Sequence, residues 1–253
     1  MNMIDAHIHA DTRPYEDFEK MVISGIDTAI TCAHDPLRMS KSEVVLDHFH
    51  RLLNNDVKRA KSNGLNLYVA LGIHPRSISP NHEIVIQKIS DLLENDLIIA
   101  IGEIGLETAS SAEKNILIEQ LQLADDLNRK VIIHTPRTNK KEVTQITKEI
   151  ILENINPSLV LVEHVNKKIV GDLIEHDFTM GLTIQPLKML PNEAIDLLKE
   201  YGTEKFILNS DMSSSPSDPL SVPKTVHQMI LSDFEKDDID AVSRKNASEF
   251  FNI

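Results

Sequence analysis

The chain has 253 residues, a formal net charge of −13, 41% hydrophobic residues and one cysteine, Cys32. That length and apolar content suit two small domains or one large α/β barrel, while the lone cysteine excludes an internal disulfide and a Cys-rich zinc module and leaves any metal to His and carboxylates. The acidic balance disfavours tight, sequence-independent binding to a nucleic-acid backbone, although divalent cations would supply local positive charge and keep a nuclease open.

No apolar run has membrane-spanning length and no signal sequence opens the chain, so a cytoplasmic protein without membrane contact is expected. The first strand reads Met3-Ile4-Asp5-Ala6-His7-Ile8-His9. Alternation along it puts His7 and His9 on one side, about 7 Å apart, where they can approach one cation together. A helix over 14–23 stops at Ser24-Gly25, and a strand over 28–31 leads to Cys32-Ala33-His34-Asp35-Pro36. Helical spacing over 42–61 contains a second His-x-His, His48-Phe49-His50, which reads as surface or groove residues because i and i+2 diverge on a helix. Strand three, 65–71, runs into Gly72-Ile73-His74-Pro75-Arg76, and a helix over 82–94 precedes strand four, 97–101, which opens into Gly102-Glu103-Ile104-Gly105-Leu106-Glu107.

Ser110-Ser111-Ala112-Glu113 has the pattern of a capping box and starts a helix through 128. Strand five ends at His134, before Thr135-Pro136-Arg137, and strand six, 159–162, ends in Glu163-His164-Val165-Asn166. The seventh repeat is a helix over 167–176 and a strand over 178–184. The eighth is a helix over 191–201 and a strand over 205–208, ending Asn209-Ser210-Asp211. A mobile Ser/Pro-rich loop over 213–219 and one or two closing helices complete the chain. Eight apolar strands alternating with helices, without a linker, predict an α/β fold: one domain over 1–253, a closed parallel (β/α)8 TIM barrel. The rival, an open doubly wound sheet, lacks its glycine-rich or Walker-type nucleotide loop.

In such barrels the chemistry sits at the C-terminal ends of the strands. Those ends carry His7, His9, His34, His74, Glu103, His134, His164 and Asp211, so six of the 11 histidines fall at one rim. The other five, His48, His50, His82, His176 and His227, lie in or beside helices and read as ordinary surface or packing residues. Glu103 has two oxygens and a central strand, so it is placed to bridge two cations. Asp211 is a candidate general base for a metal-activated water. Gly102 and Gly105 would let the backbone approach the site, or form an ordinary turn. His74 and Arg137 are candidate donors to a substrate phosphate or leaving oxygen, Arg137 being equally suited to a solvated surface. His34 reads equally as a substrate contact or as packing beside Pro36.

Taken together, Asp5-Ala6-His7-Ile8-His9, Gly72-Ile73-His74-Pro75, Ala100-Ile101-Gly102-Glu103-Ile104-Gly105-Leu106, Val131-Ile132-Ile133-His134, His164, Asp211 and Asn246-Ala247-Ser248-Glu249-Phe250-Phe251 resemble the TatD-related metal-dependent hydrolases of the amidohydrolase superfamily. The resemblance implies a (β/α)8 barrel with a two-metal site and phosphodiester hydrolysis, often exonucleolytic on DNA. It also implies that His7, His9, Glu103 and Asp211 hold one metal, and Glu103, His134 and His164 the other. Three segments depart from the family pattern: Val165-Asn166-Lys167-Lys168, Thr183-Ile184-Gln185-Pro186 and Asn209-Ser210-Asp211-Met212-Ser213. The metal-ligand positions match and the pocket walls do not, which marks a divergent branch.

Two divalent ions are therefore expected, zinc first for a His-rich set, with magnesium, manganese or nickel as alternatives. The expected partner is a phosphodiester substrate, DNA ends included, and the oligomeric state is open. A superfamily hydrolase of a small amide, lactone or ester is the alternative, and a non-catalytic metal-binding barrel is the third reading.

Overall fold

The computed structural model describes residues 2–33 and 37–253. Its strands are β1 (Met3–Ile8), β2 (Ile26–Cys32), β3 (Asn66–Leu71), β4 (Ile98–Gly105), β5 (Lys130–His134), β6 (Val160–Val162), β7 (Thr179–Thr183) and β8 (Phe206–Asn209). Each pairs in parallel with the next, in the order β1 to β8. Just beyond β8 the sheet meets its own first strand: Asp211 N–H donates to the His7 carbonyl at 2.9 Å and His9 N–H to the Met212 carbonyl at 2.8 Å. The predicted TIM barrel is thus formed, and the seam that closes it runs through the first-strand histidines and Asp211.

The helices are α1 (Tyr15–Ile23), α2 (Ser42–Arg51), α3 (Val57–Lys61), α4 (His82–Leu92), α5 (Ser111–Asp126), α6 (Lys140–Asn154), α7 (Val170–Leu173), α8 (Pro191–Tyr201), α9 (Ser221–Leu231), α10 (Lys236–Asp240) and α11 (Asn246–Phe251). The single helix expected over 42–61 is interrupted by a π-helical turn, Leu52–Asp56, and the helix expected over 167–176 shrinks to α7. The loop expected to be mobile is tied down instead: Arg13 donates to the Ser213 carbonyl at 2.8 Å, and Ser213 N–H donates to Ser217 Oγ at 3.1 Å. Among the described residues no helix is long and apolar enough to cross a membrane.

Strands buried on both faces explain the continuous apolar runs. Their outer side chains pack against the helices in one large cluster. A separate inner cluster fills the barrel's lower half with Ile4, Ala6, Ile30, Cys32, Ala70, Ala100, Ile132, Leu161 and Ile207. Phe250 and Phe251 of α11 close that end. Asn246 positions α11 by donating to the carbonyls of Thr203 and Phe206, each at 2.8 Å. The closing motif therefore plugs the end of the barrel opposite the histidines, where residues serve stability.

Two register shifts turn the upper half of the barrel from apolar to polar. In β4, Gly102 pairs with Ile132 and Ile104 with Ile133, so Glu103 is the extra residue of a bulge. A similar shift lies between Asp5 and Ile8 in β1. Bulges re-aim side chains. Ile4 and Ala6 belong to the inner cluster but Ile8 to the outer one, which gives His7 and His9 the inward direction at the rim.

Candidate metal centre

Strand ends and the loops that follow them bring His7, His9, His74, Glu103, His134, His164 and Asp211 together, all buried. Glu103 is the hub. Its Oε1 lies 2.9 Å from His134 Nδ1 and 3.0 Å from His164 Nε2. Its Oε2 faces His7 Nε2 at 3.4 Å, His9 Nε2 at 3.8 Å and His74 Nε2 at 3.9 Å. Asp211 Oδ1 stands 3.2 Å from His9 Nε2 and 3.7 Å from His7 Nε2.

His7 Nε2 is fully buried and has no hydrogen-bond partner, yet two carboxylate oxygens flank it. A buried polar atom left unpaired is costly. A cation shared with those oxygens removes the cost, and ligand atoms bound at 2.0–2.1 Å to a tetrahedral ion stand roughly 3.3 Å apart. Two groups of side chains bring candidate ligand atoms within 4.8 Å of one another: His7, His9 and Asp211, and His74, Glu103 and His134. Hard carboxylates mixed with imidazoles suit a divalent ion.

Surrounding residues orient the set. Glu163 Oε1 sits 3.5 Å from His7 Nδ1, and Asn209 donates to Glu163 Oε2 at 2.7 Å. Gly181 of β7 makes room for that carboxylate, since a Cβ there would fall 2.0 Å from Glu163 Oε2. Glu107 Oε2 contacts His134 Nε2 at 2.9 Å, and His164 Nδ1 contacts Thr183 Oγ1 at 2.8 Å. Partners of this kind fix ring orientation and tautomer. Glu107 is held in turn by its loop. Ser110 caps α5 by accepting from Glu113 N–H, as the sequence predicts, but the Glu113 carboxylate accepts from the N–H groups of Glu107, Thr108 and Ala109 instead of from Ser110.

His74 falls in the second ligand group, in place of the His164 expected from the resemblance. Its Nδ1 accepts from Arg76 N–H at 3.1 Å; in the neutral ring the proton then sits on Nε2, which faces Glu103 as a donor and not as a ligand. Burial and the nearby Lys188 ammonium push His164 well below the usual histidine range, which leaves its ring neutral. Burial alone would raise the Glu103 carboxyl, but His7 and the hydrogen bonds from His134 and His164 hold it well below the usual range. For Asp211, burial is outweighed by Lys188, whose Nζ donates to Oδ2 at 2.5 Å, and by His9. Both carboxylates are therefore anionic at neutral pH.

Arg137 is exposed at the rim and reaches Gln185 Oε1 at 3.4 Å, while Gln185 donates to the Asp211 carbonyl at 2.8 Å. His34 lies outside the described residues. Gly105, at φ 147°, takes a backbone that favours glycine and packs against β5, where a Cβ would strike the His134 carbonyl at 2.6 Å. The sequence reading missed Glu107, Glu163, Gln185 and Lys188 as members of the site. Glu163 had a signal, its place beside His164 at a strand end; Lys188 lies in the loop beyond β7 and had none.

A parallel eight-stranded barrel with imidazoles and carboxylates gathered at its C-terminal rim defines a metal-dependent hydrolase. The profile of one such group, described as TatD related DNase, matches residues 4–252. The chain belongs to that family. It is 46% identical over 253 residues to an uncharacterized metal-dependent hydrolase of Methanocaldococcus jannaschii, covering 99% of this chain and 100% of that one. The crystal structure of a TatD-like protein from Archaeoglobus fulgidus superposes with a TM-score of 0.85 at 29% identity, over 99% of this chain and 100% of the other. The phosphotriesterase homology protein of Escherichia coli, solved with phosphate in its active site, shares the fold at a TM-score of 0.75 and 14% identity, over 99% and 98% of the two chains.

Proposed function

We propose that the protein hydrolyses phosphodiesters, DNA ends among them, with two divalent metal ions. His7, His9, Glu103 and Asp211 would hold one ion, and Glu103, His134 and His164 the other. When bound, such ions lower the pKa of a water toward neutrality and polarise a phosphoryl oxygen. Asp211, kept ionised beside Lys188, accepts the proton of the attacking water. His74 presents its Nε2–H to the oxygen that gains charge, a role supported by the Arg76 N–H that its Nδ1 accepts. The observation that carries this reading is the buried, unpaired His7 Nε2 between the Glu103 and Asp211 carboxylates. The family description, TatD related DNase, supports the choice of substrate.

The test is nucleotide release from 3′-end and 5′-end labelled single-stranded DNA by metal-loaded protein, with Asp211→Asn alongside. Shortening that falls about 10²-fold or more in the variant is expected. Intact DNA of both kinds with metal bound would overturn the substrate class. A second reading, hydrolysis of a small amide, lactone or ester, is favoured by one observation: the cleft over the ligands encloses only about 60 Å³. A panel of such esters and amides, turned over while oligonucleotides are left whole, would establish it.

A further inference from the structure

A larger cavity of about 430 Å³ opens beside the candidate metal centre, between the loops that follow β5, β6 and β7 and the face of α8. It shares Arg137, His164 and Lys188 with the cleft over the ligands, so whatever fills it abuts the reacting group. Its lining is strongly cationic in an acidic chain: Arg137, Lys140, Lys167, Lys168 and Lys188 all face it. Of these five, among the described residues only Lys188 is in ion-pair contact with a carboxylate, that of Asp211. Lys140 Nζ is held by uncharged oxygens alone, Thr135 Oγ1 at 2.6 Å, the Pro136 carbonyl at 3.3 Å and the Thr135 carbonyl at 3.5 Å.

The carboxylates that also line the cavity do not neutralise these groups. Glu193 accepts from Leu190 N–H at 2.9 Å at the start of α8, and Asp196 and Glu200 stand along the same helix without an ion-pair contact to any of the five. Burial, with the charges of Lys188 and Lys168, brings Lys140 down to about 7. Cations crowded together in this way lack an anion, and lysine is a point-charge binder of phosphate. Lys167 and Lys168 belong to one of the segments that depart from the family pattern, and Lys188 follows another.

We infer that this cavity is a subsite for a second phosphate of the substrate, held by Arg137, Lys140 and Lys168 while the scissile phosphodiester lies at the metal centre and Lys188 spans the two. The substrate class is then a phosphodiester that carries a further phosphate within about one nucleotide. The inference rests on the phosphodiester reading above, and the cavity's volume lies within the usual 300–1,000 Å³ of small-ligand sites.

Two measurements on metal-loaded protein test it separately from that reading. In calorimetry, thymidine 3′,5′-bisphosphate is expected to bind about tenfold or more tightly than thymidine 5′-phosphate. Lys140→Met and Lys168→Met, checked for folding by thermal unfolding and for metal content, are each expected to cut that ratio by about fivefold. Equal affinities, or a preference that survives both substitutions, would overturn the subsite. In turnover, the p-nitrophenyl ester of thymidine 5′-phosphate is compared with its 3′-phosphorylated counterpart. A higher kcat/KM for the phosphorylated ester supports the subsite, and cleavage of both at equal rates refutes it while leaving the phosphodiester reading intact. No release from either ester, with the bisphosphate preference still present, refutes that reading and leaves an anion site standing.

Discussion

His164 and Asp211 sit in left-handed backbone, at φ 59° and 43°, a region that costs a residue with a side chain about 1–2 kcal/mol. Such outliers persist where the surroundings over-determine them, and they gather at functional sites. Here the barrel seam holds Asp211 through the His7 carbonyl, and Thr183 holds the His164 ring. Asparagine tolerates this conformation well, so Asp211→Asn adds no backbone strain at this position. Asp5, two residues before His7, is pushed up to about 6 by burial despite two bonds from Ser210. Its folded form therefore binds protons that the unfolded chain, with an ordinary value of 3.8, has released. The stability it contributes is fully present below that value and is lost as pH rises through about 6. In chelated protein, urea unfolding of Asp5→Asn between pH 4 and 7 is expected to lack this decline; parallel profiles would contradict the assignment. The histidines and carboxylates at strand ends were legible because each ends an apolar run. His74 was read as a donor from its place alone; the Arg76 N–H that favours this polarity was not legible, since only the folded turn defines its direction.

Elements place these residues through irregularities more than through regular pairing. The strand alternation that makes His7 and His9 neighbours holds locally, but it gives no sign of the shift in β1 between Asp5 and Ile8, nor of the bulge that turns Glu103 inward. Strand four was accordingly read as ending at 101, whereas β4 continues to Gly105. Bulges leave little mark on composition, because the extra residue is defined by the strand opposite. Gly181 shows the same dependence between elements: its missing side chain on β7 is the space occupied by the Glu163 carboxylate that follows β6. Gly181→Ala is expected to cost about 1–3 kcal/mol through overpacking. By displacing Glu163 from His7 it should also weaken metal affinity about 10–100-fold, the usual effect of losing an orienting partner. Thermal unfolding and metal titration check both; unchanged affinity with a lowered Tm would confine Gly181 to packing.

At the scale of the whole molecule, the two ends of the barrel divide the work. Phe250 and Phe251 close an apolar lower half, while the upper half concentrates buried charge that a protein interior accepts only when it is paired or metal-bound. The eight-fold alternation was legible because both faces of every strand are buried. The cationic cavity beside the centre was less so: its lysines are ordinary in sequence and meet only in space. The most direct test of the centre is the metal content of purified protein and of Glu103→Ala, measured by mass spectrometry alongside phosphodiester turnover. Two ions per chain in the wild type, one or none in the variant, and a parallel loss of turnover are expected from a shared Glu103 hub. A variant that kept both ions and full activity would contradict it.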